Sequence, residues 1–313
     1  MLQKFSTLKL TRDSSLHLNN NELWKVQPPP EELFIKGSGR ALELLAKLPS
    51  RTLAVVGTRW PQSRSIGITK QILSDLSGSD LVIISGLARG IDGAAHRAAL
   101  DAGLPTIAVL GSGVDRIYPP EHALLADEIL HNNGLIISEF TPSATAHPSN
   151  FIKRNRLIAG WSRALWVVEA GHRSGALNTA KWAREHHRDC FATPCFPGDQ
   201  ALAGNQILID DGHASPLWMA HSLGSVWFEF SSLGRKKKRK YKSPATSDAN
   251  LLATVVEKHS IEQGGVSAEY LLSWAISTGW GAQRFFMAFQ EAASLGLVIS
   301  NGTAIVSFSA VNQ

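Results

Sequence analysis

The feature of this chain that most constrains its fold is a series of six short apolar runs separated by stretches with helical spacing. The runs are LAVVG (53–57), LVIIS (81–85), TIAVL (106–110), LIIS (135–138), LWVVE (165–169) and CFAT (190–193). Nearly continuous apolar character over so few residues is typical of strands buried on both faces. Because the runs start 25 to 30 residues apart and helix-like stretches lie between them, they indicate right-handed βαβ units. The predicted fold class is therefore α/β, with a doubly wound, mostly parallel sheet.

Changes in composition outline the domain organisation. Residues 1–50 are predicted as an N-terminal lead-in segment, which contains the short apolar strand ELFIK followed by glycines. The predicted main domain covers 51–230. Residues 231–250 are predicted as a basic linker, because RKKKRKYKSP (235–244) carries seven Lys or Arg and no acid. Whether this basic run touches phosphate or has no specific role stays open.

The range 251–313 is predicted as a small winged-helix-like α+β domain. Three segments with helical apolar spacing precede two apolar runs, and Asn301-Gly302 between those runs is a strong signal for a two-residue hairpin. Only Lys258 and Arg284 oppose four glutamates here, which leaves a net charge of −2. Strong phosphate binding by this domain is therefore not expected.

The distribution of charge identifies a basic segment in the main domain. The whole chain carries a net charge of +5, and the pI is near 9.3. Without the seven basic residues of 235–242, however, 24 Lys and Arg remain against 26 Asp and Glu. Residues 151–190 contain eight Lys or Arg and three acids, a local charge of +5. This local excess indicates a polyanionic partner.

Several classes of protein are disfavoured by what the sequence lacks. No apolar run approaches the roughly 20 residues that a membrane-spanning helix needs. Two cysteines, Cys190 and Cys195, are too few for a disulfide framework and lack the spacing of a zinc site. No GxGxxG motif follows the first strand, and Walker A and GxSxG motifs are absent. We therefore predict a cytoplasmic protein, without a membrane anchor, a metal ion or a cofactor.

Glycine-rich loops follow four of the predicted strands. They are 57–59, 85–92, 111–113 and 171–175. In an open parallel sheet the carboxyl ends of the strands bind ligands, and glycines there let the backbone approach an anion. Arg59 and Arg89 add positive charge to two of these loops. The combination predicts a phosphate-binding rim.

The segment NFIKRNRLIAG (150–160) adds basic groups and an aromatic ring. Lys153, Arg154 and Arg156 can neutralise backbone phosphates, Asn155 can donate a hydrogen bond, and Phe151 can stack on a base. This combination suits single-stranded nucleic acid better than a small anion.

These motifs resemble those of the DNA-processing protein A family, also called DprA or Smf. The matching segments are VVGTR (55–59), SGLARGIDGAAH (85–96), LGSGVDRIYPPEH (110–122), SEF (138–140), FIKRNRLIAGWS (151–162), SGALNTAKWA (174–183) and GNQILIDDG (204–212). The resemblance implies a Rossmann-like domain that binds single-stranded DNA, forms a homodimer and loads the RecA recombinase. It implies no catalytic activity, and it places the protein in natural transformation and homologous recombination.

Motif by motif, the resemblance also assigns DNA-binding residues. They are Arg59, Ser85, Gly86, Arg89, Gly90, Gly111, Gly113, Phe151, Lys153, Arg154, Asn155, Arg156, Ser174, Gly175, Thr179 and Asn205. Lys181, which lies in the same segment as Thr179, is predicted to bind DNA with them. The sequence departs from the family at TPCFPG (193–198), where the usual motif is Val-Pro-Gly, and at GNQ (204–206), where it is Gly-Cys-Asn. The loop in this region is therefore expected to contact DNA differently.

One alternative function stays open at this point. A Rossmann-like protein of this kind could instead sense a nucleotide, or cleave one at its glycosidic bond, in a defence role. Cleavage requires an acid or a base, and only Asp92 and Glu169 lie at predicted strand ends. Neither carboxylate has a partner that the sequence reveals.

Overall fold

The structure is a computed structural model that describes residues 5–13, 21–195, 199–227, 229–230, 247–263, 266–294, 297–300 and 305–307. The chain forms two compact units, Met1–Leu217 and Trp218–Gln313. This boundary precedes the one that the sequence predicts at 230, so residues 218–230 belong to the second unit. Residues 1–50, predicted as a separate lead-in, belong to the first unit.

The first unit is built on a nine-stranded sheet. Its strands are β1 (Thr7–Thr11), β2 (Glu32–Lys36), β3 (Thr52–Val56), β4 (Val82–Ser85), β5 (Thr106–Val109), β6 (Leu135–Ser138), β7 (Ala164–Val167), β8 (Asp189–Ala192) and β9 (Ser215–Pro216). Their order in the sheet is β1-β2-β6-β5-β4-β3-β7-β8-β9, and β3 to β9 pair in parallel. The six apolar runs coincide with β3 to β8, which confirms the predicted α/β class with a doubly wound, mostly parallel sheet.

The lead-in segment extends this sheet at one side. β2 pairs antiparallel with β6, with Phe34 opposite Ser138, and β1 pairs antiparallel with β2. The middle residues of β2 are buried because the sheet and its helices cover them. β1 is not predicted from the sequence, because TLKLT has only one buried side chain, Leu10, to mark it as a strand.

Helices connect the parallel strands and cover both faces of the sheet. They are α1 (Ser63–Asp75), α2 (Ile91–Asp101), α3 (Ala123–His131), α4 (Pro148–Gly160), α5 (Gly175–Glu185) and α6 (Ala203–Asp210). Successive residues of one strand face opposite cores: Val109 packs in the same cluster as Leu157 of α4, whereas Ala108 packs in that of Leu125 of α3. α4 returns the chain from β6 to β7, beside β3. The winding therefore reverses between β3 and β7, the position where ligands bind in such sheets.

The second unit contains three helices and a pair of strands. They are α7 (Ser247–Gln263), α8 (Ala268–Ser277), α9 (Ala282–Ser294), β10 (Val298–Ser300) and β11 (Ile305–Ser307). β10 and β11 pair antiparallel, with Val298 opposite Ser307. Phe285 and Phe289 of α9 are buried, so these aromatic rings belong to the core of the unit. The element order is that of a winged helix, as predicted.

Two predicted features lie outside the described residues, namely the basic run 235–244 and the Asn301-Gly302 turn. Within the parts of the chain that the structure describes, no helix combines the length and the apolar character that crossing a membrane would require.

Candidate nucleic-acid interface

The loops that follow four neighbouring parallel strands form the candidate interface. β5, β4, β3 and β7 are adjacent in the sheet, so their carboxyl ends lie side by side. The corresponding loops, called here the carboxyl-edge loops, are 111–113, 85–90, 57–59 and 171–175. All four carry the glycines noted in the sequence, and the fold brings them to one edge.

Phe151, in the first turn of α4, lies at the centre of a cluster on this edge. The guanidinium carbon of Arg59 is 5.4 Å from the ring centroid, and that of Arg154 is 5.9 Å away. The ring of Tyr118 is tilted by 42° with its centroid at 5.6 Å. Gly111 packs directly on the ring, because a Cβ at this position would come within 2.6 Å of Phe151 Cδ1. The Phe151 ring is therefore enclosed by neighbours and only partly exposed.

Arg154 lies inside the protein, beneath the carboxyl-edge loops. Its Nη1 donates hydrogen bonds to the carbonyl oxygens of Gly86, at 2.8 Å, and of Val109. Burial lowers the pKa of Arg154 to about 10, while the charge of Asp92 acts in the opposite direction. A Cβ at Gly86 would lie 2.4 Å from Nη1, so a larger residue there would have to displace the buried guanidinium. Arg154 thus ties the ends of β4 and β5 together.

The loop 85–90 turns its polar groups inward. The hydroxyl of Ser85 donates to the carbonyl oxygen of Val55 at 2.7 Å, and the amide of Gly86 donates to Oδ2 of Asp92 at 3.2 Å. Burial raises the pKa of Asp92 above its usual value, although the nearby charge of Arg154 opposes this shift. Gly90 has a φ of 75° and packs on the carbonyl oxygen of Thr58, which only glycine permits. The sequence predicts that Ser85 and Gly86 contact phosphate. In the structure the Ser85 hydroxyl and the Gly86 amide instead donate hydrogen bonds to partners inside the protein.

Arg156 is also internal, contrary to the exposed position expected of a phosphate-binding residue. Its two terminal nitrogens donate to the two carboxylate oxygens of Glu139, both at 2.7 Å, and Nε donates to the carbonyl oxygen of Pro28 at 2.9 Å. The Arg156 and Glu139 side chains are 1% and 3% exposed. Such a pair is a structural bridge between α4, the loop after β6 and the lead-in segment.

Asn205 and Thr179 are buried as well. The amide nitrogen of Asn205 donates to the carbonyl oxygens of Val167, Val168 and Thr193 at 2.9 to 3.1 Å. It thereby joins the ends of β7 and β8. In this arrangement neither side chain is accessible to DNA, because each is covered by its own unit.

The exposed cations differ in whether an acid neutralises them. Arg89 forms an ion pair with Glu121, Lys153 lies 3.3 Å from Glu139, and Lys181 lies 3.8 Å from Glu185. Arg59 is exposed and forms no ion pair with any other described residue. Arg116 and Arg173, in the turn after β5 and the loop after β7, share this property within the described part of the chain.

The remaining predicted residues lie around the start of α5 and in the backbone of the loops. The hydroxyl of Ser174 accepts a hydrogen bond from the amide of Ala176 and so caps α5, next to the exposed Gly175. The side-chain amide of Asn155 donates to Oδ1 of Asn178 at 3.3 Å, which connects α4 to α5. Gly113 packs on the carbonyl oxygens of 141 and 142, and a side chain would not fit.

Four residues at this edge are not predicted as site residues from the sequence, namely Trp60, Tyr118, Arg116 and Arg173. Trp60 follows Arg59 directly and is 81% exposed. Tyr118 stands in the YPP segment and touches Phe151. The available signal was their position inside or shortly after the glycine-rich loops 57–59, 111–113 and 171–175.

Glu169 holds the loop after β3 in place. Its backbone carbonyl accepts from the amide of Thr58 at 2.7 Å, and its side-chain Oε2 accepts from the amide of Gln62 at 3.0 Å. The Glu169 residue is only 2% exposed. Glu169 and Asp92 therefore both have partners, which the sequence did not reveal. Each accepts a backbone amide hydrogen bond in a carboxyl-edge region.

The described residues offer little to a metal ion. Among the described residues, no group of three or more His, Cys, Asp or Glu side chains is arranged to hold one. Burial raises the pKa of the Cys190 thiol to about 12, so this cysteine is in the protonated form, which is a poor metal ligand.

Several curated proteins have similar sequences. The chain is 42% identical over 190 residues to Protein Smf of Synechocystis, a match that covers 61% of this chain and 47% of the relative. It is 41% identical over 191 residues to DNA processing protein DprA of Streptococcus pneumoniae, covering 61% and 65%. The chain thus spans less than two thirds of the length of these relatives.

Two solved structures have a similar fold. The X-ray structure of DprA from Streptococcus pneumoniae has a TM-score of 0.62 and 35% identity, covering 72% of this chain and 75% of that one. DprA from Helicobacter pylori, whose structure concerns a unique single-stranded DNA binding mode, has a TM-score of 0.59 and 25% identity, covering 74% and 96%.

The sequence profile of one protein family matches most of the first unit. This family is described as DNA recombination-mediator protein A, and the match covers residues 17–226, more than half of the chain. Together with the ordered motifs and the Rossmann-like sheet, this match shows that the chain belongs to the DNA recombination-mediator protein A family.

Proposed function

We propose that the protein binds single-stranded DNA on the carboxyl-edge loops and delivers it to the RecA recombinase without catalysing a reaction. The observation that carries the proposal is Arg59, an exposed cation held over the Phe151 ring, with no acid from the described residues to neutralise it. An acid partner would compete with phosphate for this guanidinium. The Helicobacter pylori relative, a single-stranded DNA binder, supports the same ligand for this chain.

The predicted site residues fall into two groups by their exposure. Arg59, Lys153 and Arg89 are accessible and serve as phosphate contacts, and Arg173 joins them on the same edge. Arg89 and Lys153 must break their ion pairs with Glu121 and Glu139 before they bind phosphate, because these pairs are present in the free protein. Arg59 needs no such exchange, so it contributes most.

The buried group supports the surface on which DNA lies. It consists of Ser85, Gly86, Arg154, Arg156, Thr179 and Asn205. Their hydrogen bonds to strand-end carbonyls and to Glu139 hold the loops in fixed positions. Substituting one of them changes DNA affinity only through the shape and stability of the edge.

The test is fluorescence anisotropy with labelled single-stranded and duplex oligonucleotides over a salt series. Wild-type protein is expected to prefer single strands, with affinity that falls steeply with salt as counterion release is lost. Arg59→Ala is expected to weaken binding and to reduce the salt slope by about one.

Arg40→Ala is the matched control, because Arg40 lies at the opposite edge, beside Pro105 at the amino end of β5. It removes the same charge but should leave the affinity within about twofold of wild type. Equal effects of the two substitutions, or no preference for single strands, would reject the proposal.

The partners and the domain organisation are proposed on the family resemblance. A homodimer would carry two DNA-binding sites. Light scattering of the purified protein measures its molecular mass in solution and so tests the homodimer. Transfer to RecA is tested by the rate at which RecA filaments form on single strands with and without this protein. The basic linker 231–250, the winged-helix-like domain 251–313 and the cytoplasmic location belong to the same proposal.

A further inference from the structure

We infer that Trp60 is an open stacking platform for one base of the bound single strand, an inference that rests on the proposed function. Trp60 is 81% exposed, more than any other large apolar residue in the described part of the chain. A ring so exposed contributes little to the core of its own unit. It directly follows Arg59, so we place a base on the indole close to the phosphate that Arg59 binds.

The loop that carries Trp60 is anchored on both sides. Before it, the amide of Thr58 donates to the carbonyl of Glu169 at 2.7 Å, and the carbonyl of Thr58 accepts from Ile91 at 3.1 Å. After it, the amide of Gln62 donates to the buried Glu169 carboxylate at 3.0 Å. The amide of Trp60 itself donates to the hydroxyl of Thr58 at 3.3 Å. A ring presented by a fixed loop loses less conformational entropy when a base stacks on it.

The alternative stacking partner, Phe151, is less open. Arg59 and Arg154 both lie within 6 Å of its centroid, and Gly111 and Tyr118 also pack against the ring. A base that stacks on Phe151 would therefore compete with these neighbours for the ring. A base that stacks on Trp60 meets no such competition, because this residue is 81% exposed.

The test uses the full chain, with Trp60→Ala and Trp60→Phe, and two single-stranded oligonucleotides of equal length. One carries bases, and the other carries abasic residues that keep the phosphates. Trp60→Ala should raise the Kd for the base-bearing strand by about 5- to 150-fold, the range for losing one stacked base. The salt slope should not change, because no charge is removed. Trp60→Phe should restore most of the affinity.

The control is Leu8→Ala, which trims an exposed apolar side chain on β1, at the far side of the sheet. It should leave both affinities within about twofold of wild type. On the abasic strand Trp60→Ala should also have no effect beyond about twofold.

Three results would overturn the inference, and they are distinguishable. If wild-type protein does not bind single strands, the proposed function fails and the inference fails with it. If wild type binds but Trp60→Ala changes the Kd by less than twofold, the inference alone fails. If Trp60→Ala weakens binding equally on the abasic strand, the indole does not act by stacking.

Discussion

Replacing Arg156 by alanine should destabilise the first unit rather than remove a direct DNA contact. The guanidinium makes two 2.7 Å hydrogen bonds to the Glu139 carboxylate and also donates to the carbonyls of Pro28 and Lys153. In Arg156→Ala the Glu139 charge stays in the interior without its main partner. The carbonyl oxygens of Pro28 and Lys153 each lose a donor.

The magnitude follows from the burial of the pair. Removing one partner of a buried ion pair costs about 3–5 kcal/mol of the free energy of unfolding. Lys153 remains 3.3 Å from Glu139, although its side chain is 56% exposed, so we expect the lower end of this range. For a unit of this size, each kcal/mol lowers Tm by about 2–4 °C, so Tm should fall by about 6–12 °C.

Differential scanning calorimetry of the full chain measures this shift. The double variant Arg156→Met with Glu139→Leu should recover most of the loss, because replacing both charges avoids the unpaired carboxylate. DNA affinity of Arg156→Ala, measured well below its Tm, should change less than that of Arg59→Ala. An unchanged Tm together with a large loss of affinity would refute this reasoning and favour a direct contact by Arg156.

Two further predictions concern buried titratable groups. Glu169→Ala should weaken single-stranded DNA binding severalfold and speed hydrogen exchange at the Gln62 amide, because that amide loses a charged acceptor worth about 1.5–3 kcal/mol. Removing an acid would strengthen binding if only net charge mattered, so tighter binding measured by anisotropy would contradict the positioning role. His96 is buried with Nδ1 2.7 Å from the hydroxyl of Thr106, and burial lowers its pKa to about 3. Its unfolded form takes up a proton first, so stability should fall as pH drops from about 6.5 towards 3, by at most about 1.4 kcal/mol per pH unit. Urea unfolding should show this loss of stability at low pH in wild type and not in His96→Gln. An equal dependence of stability on pH in both proteins would contradict the prediction.

The positions of the parallel strands followed from local sequence. A strand buried on both faces needs an apolar side chain at nearly every position, so β3 to β8 are visible as short runs such as VIIS and LIIS. The glycines after these strands marked the carboxyl-edge loops, because a close contact at the glycine excludes a Cβ. Gly90 against the backbone of Thr58 and Arg59 is such a contact, and at Gly111 the ring of Phe151 excludes a Cβ in the same way.

The burial of individual polar residues did not follow from local sequence. Arg154 and Arg156 are two residues apart in a basic segment that looks like an exposed phosphate-binding helix, yet both are internal. Their partners come from distant parts of the chain: Gly86 and Val109 for Arg154, and Glu139 and Pro28 for Arg156.

The sequence by itself thus determined the α/β class, the family and the edge of the sheet at which the site lies, because these depend on patterns within single segments. Only the tertiary structure decided which cations of that edge face solvent. Arg59 has no acid partner among the described residues, whereas Arg156 is paired, because a charged side chain is buried only where the fold supplies acceptors, and Glu139 and Pro28 reach Arg156 through folding alone.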